Sequence, residues 1–68
     1  MDELQYYINK VKDKKEEITV QKLGTDLVID YLSKDKDITI TLDYELFTKE
    51  LKEDKIITLY NLIGYLRG

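Results

Sequence analysis

The segment Ile38-Thr39-Ile40-Thr41-Leu42-Asp43-Tyr44 decides the fold predicted for this chain of 68 residues. Its apolar and polar side chains alternate with a period of two, and several are β-branched, which is typical of a strand with one buried and one solvated face. Such a strand needs a partner, and Leu27, Ile29 and Tyr31 repeat the same alternation. A charged, turn-forming run at 33–37 separates the two segments, so the sequence predicts an antiparallel hairpin.

A further strand is predicted upstream, over residues 18–23, because apolar and polar residues alternate there as well. Gly24 begins a short turn that leads from this strand to the next one, at 27–32. With residues 38–43, the three segments predict a three-stranded antiparallel meander.

A helical alternative for residues 20–32 is also open, since their apolar side chains also fit a period of 3.6. Gly24 would cost such a helix about 1 kcal/mol. The β-branched neighbours Val28 and Ile29 also disfavour a helix. We therefore favour the sheet and keep the helix as the alternative.

An N-terminal helix is predicted over residues 1–15, where apolar residues recur at helical spacing. Asp2 and Gln5 have the spacing of a capping box, and Met1 is placed to pack on Tyr6. The helix is expected to end in a charged cluster.

Two more helices are predicted after the sheet. Asp43 is expected to cap the first of them, with Tyr44, Phe47 and Leu51 as its apolar stripe. A charged cluster at 52–55 should end this helix.

The last helix is expected to begin after Thr58, which would be its N-cap. Before it, Ile56 and Ile57 are predicted to form a short extended segment that leads the chain back to the core. Arg67 falls in the last turn of the helix and Gly68 at its end. Its apolar stripe consists of Leu59, Leu62, Ile63 and Leu66.

The expected fold class is therefore α+β: an N-terminal helix, a three-stranded antiparallel meander and two C-terminal helices packed on one sheet face. We expect one small globular domain over residues 1–68, because a chain this short has room for one core. It has no cysteine for a disulfide, so self-association is a further way to gain stability.

The composition limits the location and the partners that we expect for this chain. The chain carries no cysteine and no basic leader, and its apolar runs are far shorter than a membrane span of about 20 residues, so we expect a cytoplasmic protein with no membrane contact. Its net charge is −3 with a single arginine, Arg67, which disfavours phosphate neutralisation and base readout. We therefore do not expect a nucleic-acid partner.

Residues for catalysis or metal binding are scarce. Histidine and cysteine are absent, and the one serine, Ser33, lies in a charged turn, so neither a histidine-based nucleophile nor a zinc site is available. The acids at 35 and 37 alternate with lysine, as in a solvated turn, and the three glycines are isolated. We expect no enzyme activity, no cofactor, no metal and no small-molecule substrate.

Apolar and aromatic residues that the expected core does not use carry the remaining functional signal, because such residues are enriched where proteins meet partners. Two lie on the sheet face that the helices leave open, and the others lie off the helix stripes or at the last helix turn. The candidate interface residues are Val28, Leu32, Tyr60, Tyr65, Arg67 and Tyr6.

These observations favour a non-enzymatic protein-interaction module that binds a host protein or associates with itself, as a phage or plasmid modulator would. One alternative is a small winged-helix-like nucleic-acid-binding regulator, in which residues 20–32 form a helix and 38–44 a wing. Another is an accessory subunit of a larger complex, which would contribute a surface and no chemistry.

Overall fold

The computed structural model describes residues 2–68 and confirms the predicted order of elements. The predicted packing of Met1 on Tyr6 lies outside the described residues. The elements are α1 (Asp2–Val11), β1 (Glu17–Leu23), β2 (Asp26–Ser33), β3 (Lys36–Asp43), α2 (Tyr44–Glu53) and α3 (Lys55–Arg67).

The three strands form one antiparallel sheet in the order β1-β2-β3, with β2 in the centre. Val20 pairs with Ile29, which pairs in turn with Ile40, so the apolar residues of all three strands share one face. The helical alternative for residues 20–32 is wrong, because this range forms β1 and β2. Pairing on both sides of β2 satisfies its backbone, which a helix interrupted by Gly24 would do less well.

Two-residue turns close both hairpins and fix the register. Gly24 has a φ of +63°, and no residue other than glycine has a positive φ in the part of the chain that the structure describes. A positive φ at the first of the two turn positions, followed by a negative one at Thr25, is the pattern of a type II′ turn. This turn suits the right-handed twist of the strands.

All three helices cover the apolar face of the sheet, and the buried side chains between the two layers form one core cluster. The inward residues of β2 and the last helix supply most of its fully buried members. The core consists of Leu4, Ile8, Ile18, Val20, Leu27, Ile29, Tyr31, Phe47, Leu59, Leu62, Ile63 and Leu66.

The N-terminal helix ends at Val11, four residues earlier than predicted. The chain turns there because the side chain of Glu16 accepts a hydrogen bond from the Asp13 N–H at 2.8 Å, and the Glu16 N–H donates to the Asp13 carbonyl at 3.1 Å. The predicted role of Gln5 in a capping box is also wrong, because its side chain bonds to the backbone of Ile18 and Val20 in β1.

Asp43 caps α2 as predicted, accepting a hydrogen bond from the Leu46 N–H at 3.0 Å. Phe47 is buried in the core, and Tyr44 and Leu51 pack against it half-buried, so the predicted stripe of this helix is confirmed.

The start of α3 differs from the prediction. Asp54, and not Thr58, is its N-cap, accepting a hydrogen bond from the Ile57 N–H at 3.1 Å. Ile56 and Ile57 lie in the first helical turn and are exposed, so neither returns to the core and no fourth strand forms there. The four apolar residues further along α3 bury its inner face, and this packing outweighs the β-preference of two adjacent isoleucines.

Substituting Gly24→Ala tests the turn. Alanine adopts a positive φ with strain, so we expect the free energy of unfolding to fall by about 1 kcal/mol in urea denaturation. A Cβ at this position would meet no atom within 4 Å, so crowding would not contribute. An equally stable variant would contradict the type II′ turn.

Candidate protein-binding surface beside the third strand

β3 lies at an edge of the sheet and leaves one row of backbone groups without a strand partner. In the β2–β3 hairpin, Ser33 and Lys36 flank the two-residue turn and form its closing pair. Hydrogen-bonded and non-bonded pairs alternate from there, so Thr39 and Thr41 direct their N–H and C=O groups away from β2. Within residues 2–68 no backbone or side-chain group bonds to the N–H of either threonine.

The opposite edge, along β1, is closed by a side chain. Gln5 of α1 donates from Nε2 to the carbonyl of Ile18 at 2.6 Å, and its Oε1 accepts from the N–H of Val20 at 3.0 Å. The glutamine amide thus makes the two bonds that a neighbouring strand would make. Of the two edges, β1 is therefore blocked over these residues and β3 is open.

The inward side chains of β3 are also less covered than those of the other two strands. Ile38, Ile40 and Leu42 are half-buried, whereas the inward residues in the middle of β1 and β2 are buried. A groove of about 260 Å³ runs beside them, between β3 and the two C-terminal helices. Its lining consists of Ile40, Leu42, Phe47, Glu50, Thr58, Asn61, Leu62 and Tyr65.

The outer face of the sheet, which no helix covers, is acidic. The strand register places four rows of side chains across this face, and each row contains one residue from each strand. Among the strand residues on this face there is no lysine or arginine. Five of them carry a carboxylate: Glu17, Asp26, Asp30, Asp37 and Asp43. Thr39 adds a hydrogen bond across the face, donating from its hydroxyl to Asp30 Oδ1 at 2.6 Å.

Val28 and Leu32 lie on this outer face, as the sequence predicts. Val28 is half-buried among its neighbours, and Leu32 is 45% exposed between Glu17 and Asp37. The row that contains Asp30 separates the two apolar residues, so they do not form a continuous apolar patch.

The tyrosines that the sequence analysis grouped together lie on different surfaces. Tyr60 and Tyr65 are five residues apart on α3, which places their side chains about 140° apart around the helix. Tyr65 lines the groove beside β3, whereas Tyr60 is exposed and does not line that groove. Tyr6 is exposed on α1, with Lys10 Nζ 4.7 Å from its ring centre.

Arg67 is engaged within the chain. Its Nε donates to Glu16 Oε2 and its Nη2 donates to Glu16 Oε1, both at 2.6 Å, which makes a bidentate ion pair. The hydroxyl of Tyr31 also donates to Glu16 Oε2 at 2.6 Å. This cluster joins the end of α3 to β2 and to the loop before β1, and it gives Arg67 a structural role that the sequence analysis did not predict.

Glu16 is the buried polar residue at the centre of that cluster, with 5% of its surface exposed. The hydrogen bonds from Arg67 lower the pKa of its carboxyl from 4.5 to about 2, and they outweigh burial, which raises it. Bonds from Tyr31 and from the backbone of Asp13 lower the pKa further. The bond to Glu16 also raises the pKa of the Tyr31 phenol, and the ion pair raises the pKa of Arg67.

The sequence does indicate that Glu16 lies on the buried side. It is two residues before Ile18 and four before Val20, so the alternation of β1 places it on the same inward face. A charged residue on a buried face needs a partner of opposite charge.

No helix in residues 2–68 combines the length and the apolar character needed to cross a membrane. The same residues contain no group of three or more acidic, histidine or cysteine side chains arranged to hold a metal ion.

The chain was compared with protein-family models, with curated proteins and with solved structures. It matches none of them.

The Glu16–Arg67 pair predicts acid sensitivity. The carboxyl binds a proton near pH 4.5 in the unfolded chain and near pH 2 in the folded one, so its stabilisation is complete above pH 4.5 and is lost as the pH falls toward 2. Replacing Arg67→Gln should lower the free energy of unfolding by about 2 kcal/mol at pH 7 and flatten this acid-dependent loss. Urea denaturation at a series of pH values measures both effects.

The matched control is Lys14→Gln, which removes one positive charge from an exposed side chain. It should change the free energy of unfolding by less than about 0.5 kcal/mol. Identical pH profiles for the Arg67 variant and the unsubstituted chain would contradict the assigned role of the pair.

Proposed function

We propose that the chain is a non-enzymatic protein-interaction module that binds an extended segment of another protein as a fourth strand beside β3. The observation that carries the proposal is the open β3 edge, with an apolar groove beside it, in a sheet whose other edge is closed by Gln5. Strand addition at an exposed edge is a common way of binding peptides.

Main-chain hydrogen bonds would give this interaction its affinity. Thr39 and Thr41 each offer an outward N–H and C=O to an antiparallel segment. Each bond contributes about 0.5–1.5 kcal/mol net. Every second side chain of the added strand would point toward the groove, where Leu42 and Phe47 offer apolar contact.

The alternate side chains of the added strand would lie on the outer face of the sheet, directly beside Asp37 and Asp43 of β3. Lysine or arginine at those positions would complement Asp37 and Asp43, and acidic residues would be repelled. The favoured partner is thus a segment in which apolar and basic residues alternate. A second copy of β3 is disfavoured, because it would add its own acidic outer side chains to the same face.

This proposal agrees with a cytoplasmic modulator of another protein, and it gives a physical meaning to the accessory-subunit alternative, since both roles need a surface and no chemistry. The winged-helix alternative loses its main support. It requires a helix at residues 20–32, which form strands, and the acidic outer face would repel a phosphate backbone.

A synthetic peptide of about nine residues, in which lysine alternates with isoleucine and valine, tests the proposal by calorimetric titration. We expect binding in the micromolar range, weakened by added salt. Thr41→Pro removes one outward N–H, and we expect it to weaken binding at least about tenfold. Proline is tolerated at edge positions that face away from the sheet.

Two control variants and one further test variant accompany Thr41→Pro. Lys22→Pro places the same change on the β1 edge and should leave the affinity unchanged, as should Thr41→Val, which keeps the N–H. Asp37→Lys, at an exposed position, should weaken the lysine peptide without a backbone change. No binding of the lysine peptide, equal binding of a glutamate peptide, or equal affinity of the Thr41→Pro and Lys22→Pro variants would overturn the proposal.

A further inference from the structure

The outer face of α3 carries no charge and has large exposed side chains, although it is not packed against any other part of the described chain. Residues 56–66 form an uncharged run of 11 residues in a chain that is 37% charged. The inner side of that run is buried in the core, through Leu59, Leu62, Ile63 and Leu66. A second stripe with the same spacing lies on the opposite side of the helix: Ile57, Tyr60, Asn61 and Gly64.

The second stripe is well exposed. Ile57 and Tyr60 each have 57% of their surface exposed, and Ile56 beside them has 65%. Large exposed side chains on a face without charge are typical of surfaces that meet a partner. The outer stripe therefore has the character of an interface rather than of a solvated face.

Gly64 gives an independent indication. Glycine in a helix interior is less stable than alanine by about 1 kcal/mol, so it usually has a local reason. Here a Cβ would meet no atom within 4 Å, and the φ angle is not positive, so nothing in the described chain requires glycine at this position. A close approach by another helix would require it.

We infer that α3 packs against α3 of a second copy of this chain, antiparallel, about a two-fold axis near residues 60 and 61. In that register Ile57 of each copy lies over Gly64 of the other, so a large side chain meets a position without one. Tyr60 and Asn61 each meet their own counterpart across the axis. The face is thus complementary to itself, which a two-fold interface requires.

Each contact in this register has a physical basis. The tyrosine rings of the two copies can stack, and an asparagine amide can both donate to and accept from a second amide, which fixes register in paired helices. The uncharged run brings no like charges together, unlike self-pairing of the acidic sheet face. One helix pair buries less surface than a standard interface, so the dimer should be weak, with dissociation in the micromolar range.

Two complementary variants test the inference without weakening the helix. Ile57→Glu lies in the first turn and Gly64→Lys in the last, where the helix dipole favours these charges. In the antiparallel register, each variant alone loses the contact between Ile57 and Gly64. A mixture of the two brings the introduced carboxylate of one copy against the introduced ammonium of the other at one end of the pair, and it keeps the natural contact at the other end.

Sedimentation equilibrium without any peptide gives the readout. We expect the unsubstituted chain to rise from 8.1 kDa toward twice that mass with concentration, and each variant to remain at 8.1 kDa. An equimolar mixture should recover the doubled mass, losing it again in high salt. Leu32→Lys, on the outer sheet face, is the matched control and should dimerise like the unsubstituted chain.

A constant mass of 8.1 kDa for the unsubstituted chain up to about 1 mM would overturn the inference. So would doubled mass in both single variants, or loss of the dimer in Leu32→Lys. Failure of the mixture to recover the doubled mass would overturn the antiparallel register. Helical circular dichroism of each variant confirms that it is folded.

Discussion

The packing of all the helices of residues 2–68 on one face of the sheet is the constraint on which the rest of the structure depends. Three helices cover one face of three strands, and a single side chain, Gln5, closes one edge. Within residues 2–68, no helix or strand covers the other edge or the outer face. The open β3 edge, the half-buried residues beside it and the uncovered carboxylates all follow from that arrangement.

The cluster around Glu16 holds this arrangement together at one end. It joins the loop after α1 to Tyr31 in the central strand and to Arg67 at the end of the last helix, with every buried side-chain polar atom of the described residues hydrogen-bonded. A buried carboxylate without partners would be strongly unfavourable, so the three elements must meet there together. The C-terminal helix is thereby fixed over the sheet, which also fixes the groove beside β3.

Much of the fold was predictable because its main signals are local. Alternation in the strands and the turn at Gly24 each depend on a few neighbouring residues. The missed features depend on distant ones. Gln5 closes an edge at residues 18 and 20, and Glu16 pairs with a residue 51 positions away. At the start of α3, core packing overrode the β-preference of Ile56 and Ile57.

The sequence predicted individual residues of the candidate surfaces, but not which of these residues lie together on one surface. Exposed tyrosines could be recognised because they lie off the helix stripes, and Val28 and Leu32 because they alternate with buried positions. Which of them share a surface depends on how the helices lie against the strands. That placement separates Tyr60 from Tyr65 and brings Tyr65 beside β3.

Amide hydrogen exchange in the free protein at low concentration is the most direct test of the central claim that β3 is the open edge and β1 the closed one. We expect slow exchange for the amide of Val20, which bonds to Gln5, and for that of Ile40, which faces β2. The amides of Thr39 and Thr41 should exchange far faster. Protection of these two threonines equal to that of Ile40 would contradict the account.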